Sequence, residues 1–178
     1  MKAPLILAII VILHFNCFSQ GSESKTHYIG EKFGGGVIFY IDGSGQHGLI
    51  AAPLDQAYKQ SWCRDRNNYT TIGAYNISDG LQNTKDIISV SKTNSAAGLC
   101  DTLKLNGFTG WYLPSLKELS MMYNQLMVVG GFAMASYWSS TEDLKNNGYA
   151  WIVNFSNKGK EQKTNKSKKN CVRAVRRF

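Results

Sequence analysis

The start of one helix near the middle of the chain constrains the fold more than any other feature. Ser115 follows a proline and precedes Glu118 by three residues, which is the spacing of a capping box at a helix start. The apolar residues that follow recur at helical spacing: Leu116, Leu119, Tyr123 and Leu126. The segment therefore predicts an amphipathic helix that begins at Ser115.

A second amphipathic helix is predicted before this one. Four residues fall at i, i+3, i+4 and i+7: Ala96, Leu99, Cys100 and Leu103. The spacing predicts a helix from about Ser95 to Leu105, followed by a turn at Asn106 and Gly107. Cys100 is therefore expected to face the core.

Several β-strands and a further helix are predicted around these two helices. Asp42 to Gly45 forms a turn between two short apolar runs, and Asp79 can cap a helix that extends through Ile88. The predicted strands are Val37 to Ile41, Leu49 to Ala52, Tyr137 to Ser140, Ala150 to Phe155 and Cys171 to Arg177. Residues 55–78 show no periodicity and predict long loops. The expected class is α+β, with a mixed, mainly antiparallel sheet and two or three helices.

The order of these motifs resembles the Lcl C-terminal domain, a bacterial family with a C-type-lectin-like fold. The segments that carry the resemblance are Gly35 to Tyr40, His47 to Pro53, the helix with Cys100, Gly110 to Glu118, Tyr137 to Ser140, and Val172 to Arg176. A more distant likeness is to formylglycine-generating enzymes, which have Trp-Arg-Leu-Pro-Thr at the helix start where this chain has Trp-Tyr-Leu-Pro-Ser. The resemblance to the Lcl family covers nearly all of residues 29–178.

The resemblance implies a function as well as a fold. Members of the Lcl family are implied to work in surface attachment, so the expected function is a non-enzymatic binding or adhesion module. The alternative is an enzyme or enzyme accessory on a formylglycine-generating scaffold. That chemistry needs a reactive cysteine pair late in the chain, where only Cys171 follows Cys100. A third interpretation is a structural surface protein with a protein partner.

The N-terminal residues have the pattern of a secretory signal. Lys2 precedes an apolar run from Leu5 to Leu13 that is too short to span a bilayer, and cleavage is predicted before Gln20. The predicted organisation is a signal peptide at 1–19, a short polar lead-in at 20–28 and one domain at 29–178. A lipid anchor at Cys17 is the alternative. In both cases we expect an exported protein, extracellular or in the cell envelope, with no transmembrane span in the mature chain.

Three cysteines remain after cleavage: Cys63, Cys100 and Cys171. An odd number in an oxidising compartment predicts one disulfide and one thiol. The family resemblance implies that Cys100 and Cys171 form the disulfide, since lectin-like domains commonly join the first helix to the last strand. Cys63 is then the remaining thiol, either packed beside Trp62 or made reactive by the arginines that follow it.

Positive charge concentrates near the end of the chain. Residues 158–177 hold nine basic residues and one acid, whereas residues 20–157 hold ten basic residues and eleven acids. Gly159 and the polar run after it suggest a basic hairpin whose lysines point into water. Such a hairpin predicts salt-sensitive binding of acidic glycans, and the alternative is that the lysines keep an edge strand soluble. The candidate ligand-binding lysines are Lys158, Lys160, Lys163, Lys166, Lys168 and Lys169.

Aromatic residues in loops are the other candidates for ligand binding: Trp62, Tyr69 and Tyr75. Two further tryptophans are expected in the core instead: Trp111 and Trp138. One of the arginines of the terminal motif, Arg173 or Arg176, is expected to pair with Glu118 or Glu142. This ion pair would hold the last strand to the sheet.

No residue is assigned a catalytic role. The chain has no Gly-x-Ser-x-Gly elbow, and the adjacent carboxylates Glu142 and Asp143 are expected to point to opposite faces of a strand. His27 and His47 do not have the spacing of zinc ligands, and the calcium motifs of sugar-binding C-type lectins are missing, so no metal or cofactor is expected. Nucleic acid is not an expected partner, because no predicted helix carries a basic stripe.

Overall fold

The structure, a computed structural model, describes residues 26–63, 71–91 and 93–178. The predicted signal peptide at 1–19 lies outside these residues and stays a prediction. The strands are β1 (Lys32–Phe33), β2 (Gly36–Ile41), β3 (Gly48–Ala51), β4 (Ala57–Ser61), β5 (Ser136–Glu142), β6 (Tyr149–Asn154), β7 (Lys160–Asn165), β8 (Lys169–Val172) and β9 (Val175–Arg177). The helices are α1 (Gly80–Ser91), α2 (Ala96–Asp101), α3 (Leu116–Asn124) and α4 (Leu126–Val129). Within the described ranges, no helix combines the length and apolar character needed to cross a membrane.

Two β-sheets organise the fold. The first has four strands in the order β1-β2-β3-β9, and every pair in it is antiparallel. The second has five strands in the order β4-β8-β5-β6-β7, and only the pair of β5 and β8 is parallel. The predicted α+β class with a mixed, mainly antiparallel sheet is confirmed, and the strands divide between two sheets.

The predicted strand from Cys171 to Arg177 is divided between the two sheets. Its first part is β8, which pairs with β4 and β5, and its second part is β9, which pairs with β3. Between them, the Arg173 side chain is fully buried, and the backbone N–H of Ala174 donates to the side-chain oxygen of Gln56. The chain passes from one sheet to the other here, because Arg173 and Ala174 bind Asp55 and Gln56, two residues that belong to neither sheet.

The helix starts confirm the local predictions. The hydroxyl of Ser115 accepts a hydrogen bond from the backbone N–H of Glu118, and the Glu118 carboxylate accepts one from the N–H of Ser115, which completes the capping box of α3. Asp79 caps α1 through its carboxylate. Helix α2 begins where predicted but ends at Asp101 and not near Leu105, and the predicted turn follows at Asn106, which has a φ of 52°.

The core has two parts that contain most of the large aromatic residues. The first includes Trp62, Trp111 and Trp138 together with residues of α1 and α2. The second includes Tyr112 and Tyr137 together with the apolar face of α3. The expected burial of Trp111 and Trp138 is confirmed, with exposed fractions of 1% and 0%.

One strand lies where the sequence predicted only loops. Strand β4 occupies Ala57–Ser61 and pairs with β8. Its sequence, Ala-Tyr-Lys-Gln-Ser, has no alternation of apolar and polar residues, so it does not predict a strand. Pairing with a partner more than a hundred residues away supplies the missing stabilisation. In the same stretch, residues 71–79 are irregular, as predicted.

Cys100 and Cys171 do not form the expected disulfide. Both are buried thiols, and they lie in different parts of the core. Helix α2, which carries Cys100, packs against α1, whereas the Sγ of Cys171 lies 3.7 Å from the carbonyl oxygen of Tyr58 on β4. The bridge implied by the family resemblance is absent because the two thiols pack into separate hydrophobic clusters. Cys63 is buried as well.

Adding a reductant is expected to leave the melting temperature of the mature protein unchanged, because these two thiols do not crosslink the fold. Burial raises the pKa of Cys100, and it raises the pKa of Cys171 to about 11, so both groups stay protonated and unreactive at neutral pH. Alkylation followed by mass spectrometry should modify Cys100 and Cys171 only after unfolding in guanidinium. A melting temperature that falls on reduction would show that a disulfide stabilises the protein after all.

Candidate functional site

The basic residues of segment 158–177 differ widely in burial, and Lys166 is the most buried lysine among them. Its side chain is fully buried, pairs with Glu142 and lies with Nζ 4.7 Å from the centroid of the Trp62 ring. The prediction that Lys166 points into water is therefore wrong. A carboxylate and an aromatic face hold its charge inside the fold, which makes Lys166 a structural residue.

Lys163 makes the same kinds of contact nearer the surface. Its Nζ lies 2.8 Å from Oδ1 of Asp143 and 4.6 Å from the centroid of the Trp151 ring, and its side chain is 35% exposed. Asp143 directly follows Glu142 at the end of β5, and neighbouring residues of a strand point to opposite faces. The two adjacent carboxylates therefore bind different lysines, one inside the core and one at its rim.

The arginines of the terminal motif also have partners inside the fold. Nε of Arg173 lies 2.7 Å from Oδ1 of Asp55, and neither side chain is exposed. Arg176 donates to the carbonyl oxygen of Gly34 at 2.7 Å and lies over the Phe108 ring. Through these contacts, Arg173 and Arg176 bind residues that lie 118 and 142 positions earlier in the chain.

The expected ion pair of Arg173 or Arg176 with Glu118 or Glu142 is not formed. Glu142 binds Lys166, and Glu118 completes the α3 capping box, so both carboxylates are already occupied by nearer donors. The arginine nearest to Glu118 is Arg177, whose Nη2 lies 3.9 Å from Oε1. An arginine of the terminal motif does form a buried ion pair, but its partner is Asp55 and not Glu118 or Glu142.

Besides Lys163, four lysines of the segment are exposed: Lys158, Lys160, Lys168 and Lys169. Within the described residues, no carboxylate forms an ion pair with them. The first two lie at the start of β7, and the other two follow its last residue. A strand of six residues is about 17 Å long. These four exposed lysines therefore form two pairs at opposite ends of β7.

The predicted basic hairpin consists of β6 and β7. Strand β7 is at the edge of the second sheet and pairs with β6 through all six of its residues. The turn between them contains Gly159, whose φ of 69° suits a residue without a side chain. Strand β8 lies on the far side of β5, so Lys168 and Lys169 belong to the connection after the hairpin and to the start of β8.

Comparison with protein-family models gives one match, which covers residues 53–176 and describes the Lcl C-terminal domain. This chain belongs to the Lcl C-terminal domain family. The matched range contains the four exposed lysines near β7 and the buried ion pairs of Lys166 and Arg173. It begins just after β3, so strands β1 to β3 lie outside it. No curated protein matches the chain at a significant level.

Two of the three aromatic candidates can be located in this Lcl C-terminal domain. Trp62 is fully buried at the end of β4, and its indole N–H donates to the carbonyl oxygen of Ser139 at 2.7 Å. The prediction of Trp62 as a ligand-binding residue is therefore wrong, since β4 carries it into the core. Tyr75 is half-buried, and burial raises the pKa of its hydroxyl, with a smaller contribution from the charge of Glu142. Tyr69 lies outside the described residues.

A sequence signal for the ion pairs of Lys166 and Lys163 existed but was incomplete. Glu142 and Asp143 are adjacent, and Lys163 and Lys166 stand three apart later in the chain. The sequence separations across the two pairs are 24 and 20 residues. Nothing local relates the acids to the lysines, because the β6–β7 hairpin and the connection after it bring them together.

Proposed function

We propose that this Lcl C-terminal domain is an exported, non-enzymatic binding module that attaches to acidic polysaccharides. The observation that carries the proposal is the exposure of Lys158, Lys160, Lys168 and Lys169 without acidic partners among the described residues. The other five basic residues of the segment each have a carboxylate or carbonyl partner. Among the described residues, the positive charge of the segment that lacks such a partner therefore lies at the two ends of β7.

The arrangement favours a polymeric ligand over a small anion. Strand β7, about 17 Å long, separates the two lysine pairs, so a small anion would meet one pair only. An extended polyanion can contact both pairs at once, and the second contact then forms within one complex at high effective concentration. Exposed ammonium groups are strongly hydrated point charges, so this binding depends on electrostatic attraction that salt screens.

The expected result is that the mature protein binds heparin and polygalacturonate but not neutral dextran, with an affinity that falls as salt rises. Changing all four exposed lysines to Gln should weaken binding about 30-fold, since four exposed charge contacts of about 0.5 kcal/mol each sum to about 2 kcal/mol. Isothermal titration calorimetry across a salt series would measure both effects.

The matched control removes the same charge from other exposed lysines: Lys32, Lys85, Lys104 and Lys117. This quadruple Gln variant should keep most of the binding, because none of these residues belongs to the sheet that contains β7. Equal losses in the two variants would mean that net charge alone attracts the polymer. Absence of binding by the unaltered protein at low salt would reject the glycan proposal and favour a protein partner.

A further inference from the structure

A cavity of about 570 Å³ opens beside the four-stranded sheet, and none of its lining residues is one of the four exposed lysines near β7. It lies where the end of β2, the start of β3 and the end of β9 meet the first turns of α3. Its lining residues are Tyr40, Asp42, His47, Gly48, Leu49, Ser78, Glu118, Met121, Arg177 and Phe178. Most of them lie outside residues 53–176, so the match to the family does not account for this cavity.

The inner wall of the cavity is a polar network built around Glu118. Its Oε1 accepts a hydrogen bond from the Tyr112 hydroxyl at 3.0 Å and faces Nη2 of Arg177 at 3.9 Å. The same guanidinium nitrogen lies 2.8 Å from Oδ1 of Asp79. Burial raises the pKa of Glu118, whereas the Arg177 side chain is 47% exposed and keeps further N–H groups directed toward solvent. Donors and acceptors therefore stand side by side on this wall.

The rim of the cavity adds a second polar group. Oδ2 of Asp42 lies 3.6 Å from Nδ1 of His47, and the hydroxyl of Ser44 donates to Asp42, which lowers the pKa of that carboxyl. An anion in the cavity would meet Asp42 and Glu118, and a cation would meet Arg177. An ion of either sign would therefore meet at least one side chain of like charge, so the lining favours a ligand that has no net charge.

The remaining lining is apolar and includes two aromatic rings. Tyr40 is 39% exposed at the end of β2. The Phe178 ring packs against two neighbouring rings, those of His27, at 4.9 Å between ring centroids, and Phe33, at 5.5 Å. Leu49 and Met121 complete this surface. A ligand that fits both halves of the cavity has an apolar face for the rings and several groups that each donate and accept hydrogen bonds.

We propose that this cavity binds one or two units of a neutral sugar. A pyranose ring has an apolar C–H face and hydroxyl groups that act as both donors and acceptors, which complement the rings and the mixed polar wall. The volume lies in the usual range of small-ligand sites. This proposal does not depend on the exposed lysines near β7, and it adds a second binding site to the module.

Saturation-transfer NMR with the mature protein tests the proposal. The probes are glucose, galactose, mannose, N-acetylglucosamine, cellobiose and lactose, with glucosamine and glucuronate as charged counterparts. We expect saturation transfer to at least one neutral sugar, together with amide shifts at Gly48 and Leu49. Tyr40→Ala should weaken that binding about tenfold by removing an aromatic contact surface.

Two further variants test whether the cavity itself binds the sugar. Arg177→Lys keeps the charge that faces Asp79 but removes the planar fork of donors, so it should also weaken binding of the sugar. Tyr58→Ala removes a ring that is 65% exposed on β4, in the other sheet, and should leave binding unchanged.

Three outcomes would overturn the neutral-sugar proposal: no neutral sugar shows transfer, only a charged counterpart binds, or Tyr40→Ala and Tyr58→Ala behave alike. The variant that lacks the four exposed lysines separates the two sites. It should bind the neutral sugar as the unaltered protein does, even if the polysaccharide proposal fails.

Discussion

Replacing Lys166 with methionine is expected to lower the free energy of unfolding by about 3–5 kcal/mol, because it removes one partner of a fully buried ion pair. The Glu142 carboxylate would remain inside the protein without its cation. That carboxylate also accepts hydrogen bonds from the backbone N–H groups of Ile72 and Gly73. The loss would therefore extend to the loop before α1. Urea unfolding followed by tryptophan fluorescence would measure it.

Lys163→Met is the matched control for this prediction. Lys163 has the same two kinds of contact, with the carboxylate of Asp143 and the Trp151 ring, but its side chain is 35% exposed. Water screens a pair at that depth, so the expected loss is about 1 kcal/mol or less. If both variants lose similar free energy, burial does not decide the importance of Lys166.

A double variant separates the ion pair from simple packing. Lys166→Met with Glu142→Leu removes both charges and keeps apolar volume at both positions. Replacing a buried ion pair by apolar residues is often nearly neutral, so the double variant should recover part of the loss seen in Lys166→Met. A double variant less stable than Lys166→Met would show that the hydrogen bonds from Ile72 and Gly73 to Glu142 contribute more than the ion pair does.

Replacing Arg173 with methionine is the second change expected to have a large effect, again a loss of about 3–5 kcal/mol. The guanidinium pairs with Asp55 and donates to the carbonyl oxygens of Ala52, Gly130 and Gly131. It also lies 4.0 Å from the centroid of the Phe132 ring. Methionine cannot donate a hydrogen bond, so a buried carboxylate and three carbonyl oxygens would lose a donor.

Two further arginine variants test whether the donor fork and the burial of Arg173 cause this loss. Arg173→Lys keeps the charge but has no planar fork of donors, so an intermediate loss is expected in the same urea titration. Arg177→Met is the exposed control, because Arg177 pairs with Asp79 at 2.8 Å but is 47% exposed. It should lose about 1 kcal/mol or less. An Arg173→Met variant as stable as this control would contradict a structural role for Arg173.

Much of the secondary structure could be predicted because its causes are local. The capping box of Ser115 and Glu118 and the cap at Asp79 depend on residues three positions apart. Such contacts form in any fold that contains the helix, so sequence spacing predicts them. Strand β4 was missed for the opposite reason, since its stability comes from pairing with β8.

The candidate site could be predicted only in part. Lys158, Lys160, Lys168 and Lys169 are exposed as predicted, since exposure is the ordinary state of a lysine in a polar segment. Lys166 departs from that rule because Glu142, 24 residues earlier, accepts its charge inside the core. Composition alone cannot distinguish this lysine from its neighbours.

The sequence by itself determined the helix starts, the α+β class, the family and the concentration of positive charge near the end of the chain. The tertiary structure alone decided which of those charges stay exposed, that Cys100 and Cys171 lie apart in the core, and that the last predicted strand joins two sheets. The ion pair of Arg173 and Asp55 spans 118 residues. Contacts of that kind depend on how the sheets come together, and no local spacing of residues encodes them.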